Sequence, residues 1–401
     1  MTGGQLVQLL ARRPAIAAFL RRRGDAITAF NPRDRCWFLA DDGLCRIEVE
    51  ERTRAVYRSR ASHRPEPHHG TPRGTSRSTR VLSIGREVTM IENLRAGACV
   101  AALGFLFFTA CSSTSAPAKG KAWEAMDRPA LDRAYNNSAA VPESAQMFKE
   151  WQARSAQVRE QHPEHLDLPY GPRERNRIDY FSAGPNTPVL IFFHGGFWQM
   201  RSKADFAFLA ESFLGQGISV AMVGYPLGPE ATMDEIVADA HAAVRYLAAQ
   251  LPSLGGDPAR VVVSGWSSGG HLATSVLDEP SLRGGVAISG LYDLAPLVKS
   301  YVNDKLHMDE AAARRNSPML NLPPSSKPLE IFAGSAELPE MRRQTADYAS
   351  ARRVAGLPVH YEEISGANHY TILNDMLRPE GRIHQAVGVM VGIRPSVSTP
   401  P

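Results

Sequence analysis

A glycine-flanked serine, Gly265-Trp266-Ser267-Ser268-Gly269, follows the apolar run Arg260-Val261-Val262-Val263-Ser264 and precedes Gly270-His271-Leu272-Ala273-Thr274, which reads as helix. A chain with this pattern has to reverse from strand into helix within one tight turn. Glycine on both sides removes the Cβ atoms that would block such a turn. The turn lifts the Ser267 oxygen clear of the backbone and sets the following N–H beside it, the geometry of a nucleophile elbow.

The rest of the pattern fits a sheet built around that turn. Pro188 to Phe193, Ile218 to Val223, Gly285 to Ile288, Pro328 to Ala333 and Pro358 to Ile364 are apolar runs of strand length. Helical stretches separate them: Ala204 to Leu214, then Met233 to Gln250 with Ile236, Val237, Ala240, Val244 and Leu247 at helical spacing, and finally Gly381 to Val391. Alternation of this kind predicts a doubly wound, mostly parallel sheet with helices on both faces, whose ligands bind beyond the carboxyl ends of the strands.

Several residues at those strand ends carry chemistry. The first run ends in His194-Gly195-Gly196-Phe197-Trp198, a loop of the kind that supplies a second oxyanion donor from Gly195 or Gly196, the first coming from the N–H of Ser268. For an acid and a base, the chain order Ser, acid, His restricts the search. Gly334-Ser335-Ala336-Glu337 follows a strand and offers Glu337 as the acid, while Ser365-Gly366-Ala367-Asn368-His369 follows the next strand and offers His369 as the base. Glu340 is the rival acid, yet it follows Pro339 at a helix start, where a carboxylate favours the helix dipole without doing chemistry. Asp293 is read as a cap or brace, Asp257 as a turn residue, His271 and His360 as packed or hydrogen-bonded core histidines, and His384 as a surface group. Phe197 and Trp198 fit two roles equally, an aromatic wall for substrate or plain packing.

The chain resembles an α/β-hydrolase of the kynurenine formamidase (arylformamidase) type. The resemblance rests on His194 to Trp198, matching the family's HGGxW loop, with Leu131 to Asn137, Gly265 to Leu272, Ser289 to Leu294, Asn316-Ser317-Pro318 and Glu337 to Glu340, and it covers about Leu131 to Val391. It implies the α/β-hydrolase fold, with Ser267 as nucleophile, Glu337 as acid, where relatives often have aspartate, and His369 as base. The implied activity is hydrolysis of an N-formyl arylamine through a covalent acyl-enzyme; a broad carboxylesterase acting on small esters is the alternative. A non-catalytic, lipid-anchored binding protein on the same scaffold is a reading of another class, against which the ordered triad argues.

The amino-terminal quarter is of a different character. Arg95 leads into an apolar run through Phe108, followed by Thr109-Ala110-Cys111-Ser112, which resembles a bacterial lipoprotein signal with a lipid-bearing Cys111. The run is short for a bilayer span. Met90 stands just ahead of it, so residues 1–89 read as upstream DNA translated as protein, or as disordered chain; 90–110 read as signal peptide, 111–125 as linker and 126–401 as the hydrolase domain. This organisation predicts a lipid-anchored protein on the periplasmic side of a bacterial envelope, with the cytoplasm as the alternative.

Charge supports the division. Residues 1–89 hold seventeen Arg, no Lys and nine Asp or Glu, giving +8; the whole chain is +4, so the remainder is −4. The basic excess therefore points to no nucleic-acid partner. Cys36, Cys45, Cys99 and Cys111 all precede the hydrolase domain, so that domain is expected to form no disulfide. The sequence shows no phosphate-cradling glycine loop, dinucleotide fingerprint or paired CxxC, and neither cofactor nor metal is expected, with a small molecule as the substrate. Oligomeric state is left open.

Overall fold

The apolar runs assemble as the strands of a sheet whose central members are buried on both faces. A computed structural model describes residues 122–323 and 326–393, together with the backbone of four strands within residues 26–59; Cys111 and the segment 90–110 lie outside the described residues. The four strands and the part from residue 122 onward belong to separate units.

In the first unit, β1 (Ala26–Asn31), β2 (Arg35–Ala40), β3 (Gly43–Val49) and β4 (Ala55–Ser59) pair as an antiparallel meander, with Ala40 opposite Gly43. Composition over residues 1–89 does not anticipate this. Strand-forming residues such as Ile27, Phe30, Trp37, Phe38, Ile47, Val56 and Tyr57 are concentrated within 26–59, whereas a stretch rich in Pro, His and Arg, His63 to Arg80, lies beyond them.

The second unit holds an eight-stranded sheet: β5 (Leu168–Pro169), β6 (Arg177–Phe181), β7 (Thr187–Phe193), β8 (Ser219–Val223), β9 (Gly256–Trp266), β10 (Leu282–Ile288), β11 (Leu329–Gly334) and β12 (Val359–Ile364). Its order is β12-β11-β10-β9-β7-β8-β6-β5. The pairs from β8 to β12 are parallel; β6 runs antiparallel to β8, and β5 to β6. This is the α/β-hydrolase fold. The short antiparallel edge was not legible in the sequence, since β5 is two residues long and β6 mixes charge into its pattern.

Period-2 alternation divides the core. Ile191, Phe193, Val261 and Val263 face one apolar layer, while Leu190, Phe192, Val220 and Val262 face the other. Each fully buried side chain of this size contributes about 1.5–3 kcal/mol of transfer free energy, so both faces need cover. One cover is the helix Met233–Leu254, which buries Ile236, Ala240, Ala243, Val244, Leu247 and Leu251. Thr232 and Glu235 form its capping box, and Gly255 ends it at φ +79°, a left-handed position that glycine adopts without a Cβ penalty. On the other face the helix Ser144–Gln161 packs Phe148, Trp151 and Ser155 near the 3-10 segment Lys203–Leu209, where Ser155 Oγ accepts from the Phe208 N–H. Among the described residues of the second unit, the 3-10 segment Ala122–Ala125 falls inside the expected 111–125 linker, with Trp123 buried in the core.

Candidate active site

Ser267 sits where β9 turns into the helix Ser268–Ser275, at φ +59° and ψ −122°. This backbone conformation is unfavourable for a residue with a Cβ, at about 1–3 kcal/mol, and it persists because the surroundings fix it. The Ser267 N–H donates to Ile288 O at 2.8 Å, and the His271 N–H donates to Ser267 O at 3.2 Å. The flanking glycines are obligatory on steric grounds: a Cβ at Gly269 would lie 1.9 Å from Phe193 O, and one at Gly265 would lie 2.1 Å from Gly269 O.

Glu337 and His369 converge on the serine. His369 Nε2 lies 3.1 Å from Ser267 Oγ, and His369 Nδ1 lies 2.9 Å from Glu337 Oε2. With Nδ1–H donating to the carboxylate, Nε2 of the neutral ring is the acceptor for the serine hydroxyl. All three are buried, Ser267 at 2% exposure, His369 at 4% and Glu337 at 6%. The other carboxylate oxygen, Glu337 Oε1, accepts from the Gly334 N–H at 2.6 Å and from Ser289 Oγ. Three donors on one buried carboxylate hold its plane toward the imidazole.

Support from behind these three residues was only partly visible in the sequence. The stretch Ser289 to Leu294 points to Asp293, but Ser289, at φ +51° just past the end of β10, is the residue that touches Glu337. Asp293 Oδ1 accepts from the Ala295 N–H at 3.2 Å at the start of the next helical turn, a bracing role as expected. Trp266 donates from Nε1 to His369 O at 2.8 Å and lies beside the imidazole, with ring centroids 4.9 Å apart.

Glu340 has other partners. It is buried, is ion-paired with Arg343 at 2.7 Å and accepts from Tyr135 Oη at 3.2 Å, in the first turn of the helix Pro339–Val354. Asp257 lies within β9 instead of the turn expected of it, because that strand already starts at Gly256; it accepts from the Ala259 N–H at 2.9 Å and pairs with Arg260.

The loop after β7 is unusually constrained. Gly196 (φ +123°), Phe197 (+51°), Trp198 (+58°) and Arg201 (+76°) all occupy positive φ. Tyr225 Oη donates to His194 O at 2.7 Å, and the Gly228 N–H donates to Trp198 O at 2.8 Å. The His194 ring lies between Tyr225 and Phe206, with centroids at 4.3 and 5.9 Å. Gly195 and Gly196 are thereby presented beside the elbow, and Ser268, as a first-turn residue, has an N–H with no intrahelical acceptor.

Two aromatic assignments resolve differently. Trp198 has no exposed surface and packs edge-on against His271 at 5.0 Å, so it is a packing residue and not a substrate wall. Phe197 is half-buried, in edge contact with Tyr301 at 6.2 Å, and retains accessible surface.

The other histidines need two corrections. His384 is buried, stacked on Phe213 at 4.4 Å, with Nδ1 2.9 Å from Met376 O; it lies on the inner face of the helix Arg382–Met390 instead of the surface. His360 is exposed, 2.6 Å from Glu330, because β12 is the edge strand and carries no fully buried residue. His271 is a core histidine as expected, with Nε2 2.7 Å from Asn316 O. Among the described residues no cluster of His, Cys, Asp or Glu is arranged to hold a metal ion, and no helix is long and apolar enough to cross a membrane.

Burial pulls the pKa of both His194 and His271 down to about 4, desolvation of the charged ring being the main cause. An unfolded histidine titrates near 6.5, so between about 6.5 and 4 the unfolded chain binds protons that the folded one refuses. Their stabilising contribution, roughly 3 kcal/mol each, is present above pH 6.5 and is lost as pH falls toward 4. Urea midpoints should therefore drop between pH 7.5 and 4.5, and His271→Gln should flatten that dependence. A midpoint constant across this window would contradict neutral burial of the two rings.

Comparison with known proteins places the fold in a family. Residues 190–373 match the model of an α/β-hydrolase fold family. The chain is 32% identical over 243 residues to kynurenine formamidase of Danio rerio, covering 57% of this chain and 82% of that protein. It is 26% identical to an isoprenylcysteine alpha-carbonyl methylesterase of Arabidopsis thaliana, covering 52% of this chain and 57% of the relative. Among solved structures, a protein from a Silicibacter species provisionally described as a thioesterase superposes with TM-score 0.58 at 28% identity, covering 65% of this chain and 98% of the other. Fold and relatives together define an enzyme of the serine-hydrolase type. The chain belongs to the α/β-hydrolase family that includes kynurenine formamidase.

Proposed function

We propose that this protein hydrolyses an N-formyl arylamine through a covalent acyl-enzyme formed on Ser267. The observation that carries the reading is the hydrogen-bonded series from Ser267 Oγ to His369 at 3.1 Å and on to Glu337 at 2.9 Å. His369 removes the serine proton as Oγ bonds to the formyl carbon, and Glu337 fixes the ring and stabilises its positive form. Backbone N–H groups of Ser268 and of Gly195 or Gly196 receive the oxyanion, each donor being worth about 2.7–4 kcal/mol in the transition state. The C–N bond breaks as His369 returns the proton to the leaving amine, and water then repeats the sequence to release formate. The 2% exposure of Ser267 favours a small acyl group, formyl being the smallest.

The methylesterase relative supports a second reading, a carboxylesterase of small esters. Measuring kcat/KM side by side for N-formylkynurenine and short p-nitrophenyl esters decides between the two. A formamide advantage supports the first, and ester turnover with no detectable deformylation supports the second.

We also propose that Cys111 carries a lipid anchor on the periplasmic face of a bacterial envelope, on the strength of the apolar run and Thr109-Ala110-Cys111-Ser112. Expressed in a bacterial host, the protein should fractionate with membranes and begin at an acylated Cys111; Cys111→Ser should release it. Stable attachment requires more than one acyl chain. Recovery of soluble, unmodified chain starting upstream of Met90 would remove this proposal.

A further inference from the structure

Arg201 closes the strained loop that carries Gly195 and Gly196. Its side chain is half-buried and it makes no ion pair among the described residues; its guanidinium carbon lies 3.4 Å from the centroid of the Phe148 ring. Burial lowers the Arg201 pKa, as expected for a cation drawn out of water without a bound counter-ion. The acidic group whose field reaches it, Asp205, is already engaged by the Ser202 N–H at 2.8 Å and by Gln152 Nε2 at 2.8 Å.

Its position is against the loop that carries Gly195 and Gly196. The Arg201 stem packs on the oxyanion loop so closely that a Cβ on Gly196 would lie 3.0 Å from Arg201 Cγ. Beneath the guanidinium, Phe148 contacts Tyr370 at 5.6 Å and Trp266 at 6.4 Å, the residues that directly follow His369 and directly precede Ser267. Tyr370 Oη is 2.9 Å from Ser138 Oγ, so polar atoms accompany the cation on the same rim. An unpaired guanidinium seated on an aromatic ring, held by strained backbone beside the oxyanion donors, is built to receive a planar anion.

We propose that Arg201 is a specificity-determining residue that binds a carboxylate on the leaving-group side of the substrate, so the enzyme selects acyl compounds whose released amine or alcohol is itself a carboxylic acid. This rests on the hydrolase reading above and adds the charge of the substrate to it. Phe148 holds the guanidinium plane, and the carboxylate is paired with it while the carbonyl reaches Ser267.

The test uses a matched pair, an aryl acetate with a carboxylate on its ring side chain and the same ester with a carboxamide there. The wild-type enzyme should favour the carboxylate in kcat/KM by tenfold or more, on the order expected for a charge-assisted pair. Arg201→Gln should reduce that ratio about 10- to 100-fold, mainly through KM, and Arg201→Lys should restore part of it. On the wild-type protein alone, benzoate should inhibit competitively at concentrations where benzamide does not, and more weakly in 0.5 M salt. Turnover of both esters with a ratio unchanged by Arg201→Gln, or equal inhibition by benzoate and benzamide, would overturn the role of Arg201 while leaving the hydrolase reading intact. Failure of the wild type to cleave either ester, together with no deformylation of N-formylkynurenine, would overturn both.

Discussion

Ser267→Ala is expected to lower kcat by about 10⁵- to 10⁶-fold, the loss seen when the nucleophile is taken from a cooperating triad. The hydroxyl meets His369 at 3.1 Å, caps no helix through its side chain and fills little volume, so the substitution removes chemistry and leaves packing intact. The backbone at φ +59° is as available to alanine as to serine. Thermal stability should stay within about 1 kcal/mol of the parent. Labelling by a fluorophosphonate probe should vanish with activity. Persistent labelling at Ser268, whose Oγ is buried without a hydrogen-bond partner among the described residues, would move the nucleophile one residue along.

Glu337→Gln is expected to cost about 10⁴-fold in kcat, while Glu340→Gln should leave kcat within a few-fold and instead destabilise the fold by about 1–3 kcal/mol. The first change puts an amide where three donors converge, those of Gly334, Ser289 and His369, and the imidazole loses its counter-charge. In the second, Arg343 loses the charge of its buried partner, while Asp347 at 2.7 Å remains to hold part of it. Kinetics together with urea melts on both variants separate the roles. An inverted result, with Glu340→Gln inactive and Glu337→Gln active, would reassign the acid.

The geometry of the candidate site was legible where local backbone chemistry dictates it. Glycines around Ser267 announce a turn that only glycine permits, and each candidate follows a run long enough to be a buried strand. The supporting contacts were less legible because they join distant segments. Ser289 reaches Glu337 across 48 positions of sequence, and Trp266 reaches His369 across 103. Side-chain environment was the weakest point. The burial of His384 depends on what its helix packs against, and the exposure of His360 depends on its strand lying at the sheet edge, neither of which periodicity encodes. Trp198 shows the same limit, since adjacency to the oxyanion loop says nothing about which way an indole turns.

The sheet order gives the proposed triad an uneven mechanical footing. Ser267 hangs from β9, in the middle of the sheet, whereas His369 follows β12, an outermost strand without one fully buried residue. Edge strands with little buried surface open at lower free energy than the centre, so fraying of β12 would withdraw His369 while the surroundings of Ser267 remained folded. Catalysis would then fail at a lower denaturant concentration than global structure, and hydrogen exchange at β12 amides would track lost activity better than exchange at β9. The enzyme would report on the docking of its own final strand.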